Sequence, residues 1–124
     1  MEGARAVSKV SKRTSAFVNT RPLLPCSLQT AGLPYPPLSS VLDPIEEAAG
    51  SMVAVDASKL AEEAGSPRSL NVVMLGMLAA SELLPFPGDR LLDVILEAGI
   101  PAFAEVNRSA FRLAHEAVKE ARAR

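Results

Sequence analysis

With 124 residues and 13 basic against 14 acidic side chains, the chain is long enough for one domain with a sizeable core. Its 48% hydrophobic and 22% charged content exclude a disordered chain, and a single Cys excludes an intrachain disulfide or a self-contained Cys-ligated zinc or iron–sulfur site. A net charge of −1 gives no reason to expect nucleic acid as the main partner.

The elements are read in chain order. Residues 2–12 carry Arg5, Lys9 and Lys12 with Val7 and Val10 inward, which predicts a solvated helix. Ser15-Ala16-Phe17-Val18-Asn19 follows as a short strand. Residues 21–37 form a Pro-rich loop that excludes a helix and allows at most a short edge strand at Leu23-Leu24 and Ser27-Leu28. Asp43-Pro44-Ile45-Glu46 carries the signature of a helix start, with Asp43 as the cap and Gly50 as the stop. Met52-Val53-Ala54-Val55 is a buried-type strand. Asp56 caps a helix over residues 57–64 that Gly65 ends. Ser66-Pro67 opens a helix over 68–83 whose apolar run from Val72 to Ala80 predicts burial on several sides. Within it, Gly76 and Ala80 lie four apart and offer a small-residue stripe where a second backbone can come close. Asp89 caps a further helix that Gly99 and Pro101 stop. A last helix, residues 104–121, sets Ala110, Phe111, Ala114, Ala117, Val118 and Ala121 on one face and Arg108, Arg112, Glu116, Lys119 and Glu120 on the other.

About six helices and two confident strands, each strand feeding a helix, predict an α/β fold. Two or three strands make a poor sheet, and edge strands of buried type need cover, so the sheet reads as incomplete. The longest uncharged stretch, residues 22–42, contains five prolines and is no membrane span. The basic segment 1–21 has no apolar signal-peptide core behind it, so a cytoplasmic protein with a reduced thiol is expected.

The chemistry is sparse. Cys26 is either an inert or partly buried thiol or half of a Cys/His pair with His115, the one histidine. The bland alternative is favoured, because nothing in the spacing brings the two together. The adjacent pairs Glu46-Glu47 and Glu62-Glu63 point in different directions and make no carboxylate dyad. Asn71, Glu105 and Asn107 read as helix caps or buried hydrogen-bond formers, with an interface role as the alternative. There is no metal-ligand spacing and no glycine-rich phosphate loop. The chain shows no self-sufficient active site.

Four ordered segments add a resemblance. They are Val18-Asn19-Thr20 with Pro25 and Tyr35-Pro36; Val55-Asp56-Ala57 with Leu60-Ala61-Glu62-Glu63-Ala64-Gly65; Asn71-Val72-Val73-Met74-Leu75-Gly76; and Glu105-Val106-Asn107 with Ala110-Phe111. Together they resemble the gamma-type catalytic domain of 2-oxoacid:ferredoxin oxidoreductases, and look most like its indolepyruvate branch, over about residues 2–115. The resemblance implies a partial α/β/α sandwich with an incomplete mixed sheet. It also implies a large partner subunit that carries thiamine diphosphate and 4Fe–4S clusters, with CoA bound in the same complex and ferredoxin as electron acceptor. This chain then binds no cofactor, has no catalytic residue, and leaves choice of the 2-oxo acid largely to the partner. Asn19, Tyr35, Asp56, Asn71, Gly76, Glu105, Asn107 and Phe111 become family-motif or interface residues. The family's opening Gly-x-Gly-Gly-Gln-Gly turn has no match here, so residues 1–124 are expected to be one domain lacking its N-terminal part. The alternative is a self-associating helical interaction module with no enzymatic role.

Overall fold

The computed structural model describes residues 1–23 and 26–123. They divide into two compact units, Met1–Ala54 and Val55–Arg124. Leu24 of the predicted edge strand and Pro25 of the first family segment lie outside the described residues.

In the first unit, helix α1 (Glu2–Arg5) is only one turn and is followed by a 3-10 turn, Val7–Lys9. The helix expected over residues 2–12 is therefore cut short. Strand β1 (Ser15–Asn19) runs parallel to β2 (Ser51–Val55) in a two-stranded sheet. Gly50 and Ser51 start this pairing by donating their backbone N–H groups to the Thr14 carbonyl at 2.9 and 3.3 Å. β1 is half-buried along its whole length, and in β2 only Val53 is buried. Parallel strands are normally covered on both faces, so two half-buried ones form the partial sheet expected of this sequence.

Two readings of this unit are corrected. Helix α2 (Cys26–Ala31) occupies part of the stretch assigned to loop or edge strand, Ser27-Leu28 included. No proline falls between Pro25 and Pro34, and that gap is long enough for a helical turn. Thr30 Oγ1 donates back to the Cys26 carbonyl at 2.8 Å, and Gly32 leaves the helix with φ +68°. Helix α3 (Leu38–Ala48) begins at Leu38, well before Asp43, and carries Pro44 inside it. Pro44 forfeits one backbone hydrogen bond. Burial of Val41 and Ile45, one turn apart on the same face, offsets that loss. Asp43 is exposed on the helix flank and is not its cap.

The second unit is helical. α4 (Ala57–Ala64) starts where expected, with Asp56 Oδ1 accepting from the Lys59 N–H at 2.9 Å, and ends on Gly65 at φ +122°. A 3-10 turn, Pro67–Ser69, leads into α5 (Leu70–Ala80). This helix stops short of Leu83 because Ser81 Oγ accepts from the Leu83 N–H at 3.2 Å and Glu82 turns left-handed at φ +61°. α6 (Gly88–Ala98) has Pro87 at its cap position, and Asp89 sits in its first turn without capping it. A second 3-10 turn, Pro101–Phe103, opens α7 (Ala104–Arg122).

α5 and α7 lie side by side and run in the same direction. Their first turns share a cavity, and Gly76 faces Ala114 at mid-length. At the far end, Arg122 donates to the Ser81 carbonyl at 3.4 Å. α6 returns between those ends, with Gly88 against Ala79 and Gly99 beside Asn107. Val73, Met77, Ala110, Phe111, Ala114 and Val118 make the core, together with Ala57 and Ala61 of α4. α5 is not covered all round, because Asn71 and Leu75 form an exposed strip. No helix among the described residues is long and apolar enough to cross a membrane.

Candidate functional site

A concavity of about 460 Å³ belongs to the first unit. Phe17 and Val18 of β1 and Val41, Leu42 and Ile45 of α3 give it apolar walls. Asn19, Thr20 and Arg21, leaving the C-terminal end of β1 in succession, add polar groups, as does Tyr35. Asn19 Oδ1 accepts from the Arg21 N–H at 3.2 Å, which tightens this turn. The Tyr35 hydroxyl accepts from the Met1 amino group at 2.9 Å. Cys26 also lines the cavity and is exposed, so of the inert or partly buried thiol expected it is not the buried one.

A second concavity of about 240 Å³ lies in the helical unit, between the first turns of α5 and α7. Ser66, Ser69, Val72, Phe103, Val106 and Asn107 line it. Ser69 is 5% exposed, and its hydroxyl donates to the Ser66 carbonyl at 2.7 Å, so the polar group is already satisfied within the turn.

The eight motif residues are dispersed. Asn19 and Tyr35 meet at the larger cavity, and Asn107 lines the smaller one. Asp56 is a helix cap. Asn71 is exposed in the first turn of α5, neither cap nor buried. Glu105 is exposed and pairs with Arg108 one turn on. Gly76 is buried against α7, where a Cβ would stand 2.8 Å from that of Ala114. Phe111 is 3% exposed, and its ring centroid lies 5.0 Å from that of His115. Of the set, Gly76 and Phe111 hold helices together. The walls supplied by α3 were not singled out, because a helix start placed at Asp43 leaves Leu38, Val41 and Leu42 in a loop, although their spacing with Ile45 is helical.

His115 is half-buried on the inner flank of α7, and its Nε2 is buried without a hydrogen-bond partner among the described residues. An unpaired buried nitrogen costs free energy that an apolar side chain of similar length avoids. His115→Leu is therefore expected to leave the thermal midpoint unchanged or to stabilise the chain by about 1 kcal/mol. A loss of similar size in thermal denaturation would reveal a partner for the ring. Cys26 and His115 belong to different units. One cysteine cannot ligate a 4Fe–4S cluster, and among the described residues no three His, Cys, Asp or Glu side chains are placed to hold a metal ion. The residues of this chain do not fit an iron–sulfur group.

Comparison with known proteins agrees with the four-segment resemblance. Residues 2–117 match the family described as Pyruvate ferredoxin/flavodoxin oxidoreductase. The indolepyruvate oxidoreductase subunit IorB of Methanothermobacter thermautotrophicus is 35% identical over 112 residues, covering 90% of this chain and 57% of its own length. The subunit of the same name from Thermococcus kodakarensis is 33% identical over 97% of this chain and 60% of its own length. The one from Archaeoglobus fulgidus is 28% identical over 92% and 57% respectively. The chain thus spans somewhat under two-thirds of these relatives' length. No solved structure matches it significantly.

Proposed function

The chain belongs to the Pyruvate ferredoxin/flavodoxin oxidoreductase family, and from that premise we propose that it is a non-catalytic component of a 2-oxoacid:ferredoxin oxidoreductase complex. The complex releases the carboxylate of a 2-oxo acid as CO2, transfers the acyl group to the CoA thiol, and passes two electrons to ferredoxin. The resemblance to IorB subunits along nearly the whole chain supports indolepyruvate or a related aryl pyruvate as the 2-oxo acid. Thiamine diphosphate and the 4Fe–4S clusters reside on a large partner subunit, which also selects the substrate. The complex works in the cytoplasm.

The observation that carries this reading is the family match over residues 2–117. Its second unit offers what a packing subunit needs. Val94, Ile100 and Phe103 are large apolar side chains at 58%, 63% and 41% exposure. These side chains are the surface on which the partner subunit is proposed to pack. The same surface favours the second reading, a self-associating helical module.

Co-expression with a thiamine- and iron–sulfur-bearing subunit separates the two. A stable hetero-complex that survives gel filtration is the expected result. Homo-oligomers of this chain, with the large subunit eluting alone, would support the module and dismiss the complex.

A further inference from the structure

We propose that the outer face of α5 is a docking surface for a second copy of this chain, the two α5 helices lying antiparallel across a two-fold axis at Leu75. The face uses none of Val94, Ile100 and Phe103, so failure of this proposal would leave the reading of the complex untouched.

The helix itself sets the face apart. Residues 69–81 carry no charge. Val73, Gly76, Met77 and Ala79 take part of that apolar content into the core. What stays outside is Asn71 and Leu75, both exposed, with Met74 and Leu78 half-buried beside them. Asn71, Leu75 and Leu78 stand at i, i+4 and i+7, one above another on the helix. Leu75 is 38% exposed, where the water-facing side of a helix ordinarily carries charged or polar groups.

The two ends of this strip point to the occupant. Arg68, in the turn before α5, and Glu82, in the turn after it, are both exposed. Among the described residues neither side chain holds an ion pair or a hydrogen bond, whereas Lys59–Glu63, Glu105–Arg108 and Arg112–Glu116 of the same unit are matched within their own helices. Each of the two stands seven residues from Leu75. A two-fold axis at Leu75 therefore brings Arg68 of each copy to Glu82 of the other. The same operation sets Val72 against Leu78, and Leu83, 59% exposed, against the exposed Pro67. Opposite charges at the ends and apolar groups between them make the face complementary to itself, where ends of one sign would repel a second copy. The far end is also fixed before any partner arrives. Glu82 is left-handed at φ +61°, and the Ser81 hydroxyl oxygen accepts from the Leu83 N–H at 3.2 Å, so both residues are presented at little ordering cost.

Sedimentation equilibrium of the intact chain tests this. A monomer–dimer equilibrium with a Kd of about 10–100 µM is expected from a contact this small. Leu75→Lys sets two like charges across the axis and should weaken the dimer at least about tenfold. Arg68→Glu and Glu82→Arg should each weaken it about tenfold, because each variant faces its own copy with like charges at both ends. An equimolar mixture of these two variants should associate as tightly as the unaltered chain, since every end then meets its opposite. No loss of folding mimics that rescue. A chain that stays monomeric up to about 1 mM would overturn the proposal, as would a dimer indifferent to Leu75→Lys. A mixture as weak as its components would overturn the antiparallel pairing of Arg68 with Glu82.

Discussion

Replacing Gly76 by Leu is expected to destabilise the helical unit by about 1–3 kcal/mol. The reason is geometric. A Cβ at this position would lie 2.8 Å from the Ala114 Cβ and 3.1 Å from the Phe111 carbonyl oxygen, and the latter belongs to a helix backbone that cannot swing aside. A Leu adds three more carbons to that contact, so α5 and α7 must separate. Separation opens the layer in which Val73, Met77 and Val118 are fully buried, and each loses contact on one side. A denaturant or thermal melt reads this directly, because each kcal/mol lowers the midpoint of a domain this small by roughly 4–8 °C. Gly76→Ala should fall between the wild type and Gly76→Leu. A substitution at the exposed Asn71, one turn earlier on the same helix, should be nearly neutral. An unchanged midpoint for Gly76→Leu would mean that the helices do not meet there.

The second large effect is expected at Gly50, in the other unit. A side chain here would run into the Lys12 carbonyl, with the Thr14 carbonyl oxygen 3.4 Å away. The obstacle is backbone on both counts. The same short segment carries the Gly50 and Ser51 N–H bonds to Thr14, and the Lys12 ammonium donates to the Ala49 carbonyl at 3.3 Å and to that of Glu47. Gly50→Val must push residues 12–14 away from residues 49–51 and so breaks the first rungs of a sheet that has only two strands among the described residues. A cost of about 2–4 kcal/mol is expected, at the upper end of strain and overpacking effects. Hydrogen exchange locates it: amides of β1 and β2 should lose protection while those of α5 and α7 keep theirs. Undiminished protection in β1 would contradict the close crossing at Gly50.

Much of the fold was legible because local signals agreed. β1 is bounded by turn residues, and α4 has Asp56 before it and Gly65 after it. α7 repeats its apolar face over five turns, and Gly99 stops α6. The shortfall of strands was legible too, since it needed only a count of buried-type segments against what a sheet requires. The errors fall where proline dominates. Pro44 reads as a start signal because it commonly occupies the first turn, yet here the burial of Val41 and Ile45 decides, and the helix continues through it. α2 hides in the gap between two prolines. The exposure of Asn71 escaped the pattern for a different reason: an apolar helix shows its buried faces only once its neighbours are in place.

The candidate site was less legible than the fold. Asn19 and Tyr35 belong to one motif segment and meet at one cavity, but the walls come from α3, whose start was misplaced. A cavity is a property of packing between elements distant in sequence, and no periodicity encodes it.

On the proposed function, this chain supports an oxidoreductase complex without supplying its chemistry. Ferredoxin reduction by an aryl pyruvate, CoA and the thiamine-bearing subunit, measured with and without this chain, tests it most directly. Turnover should require the chain and should be retained in full by a complex carrying His115→Leu. Equal turnover by the large subunit alone, or an assembled but inactive His115→Leu complex, would contradict it.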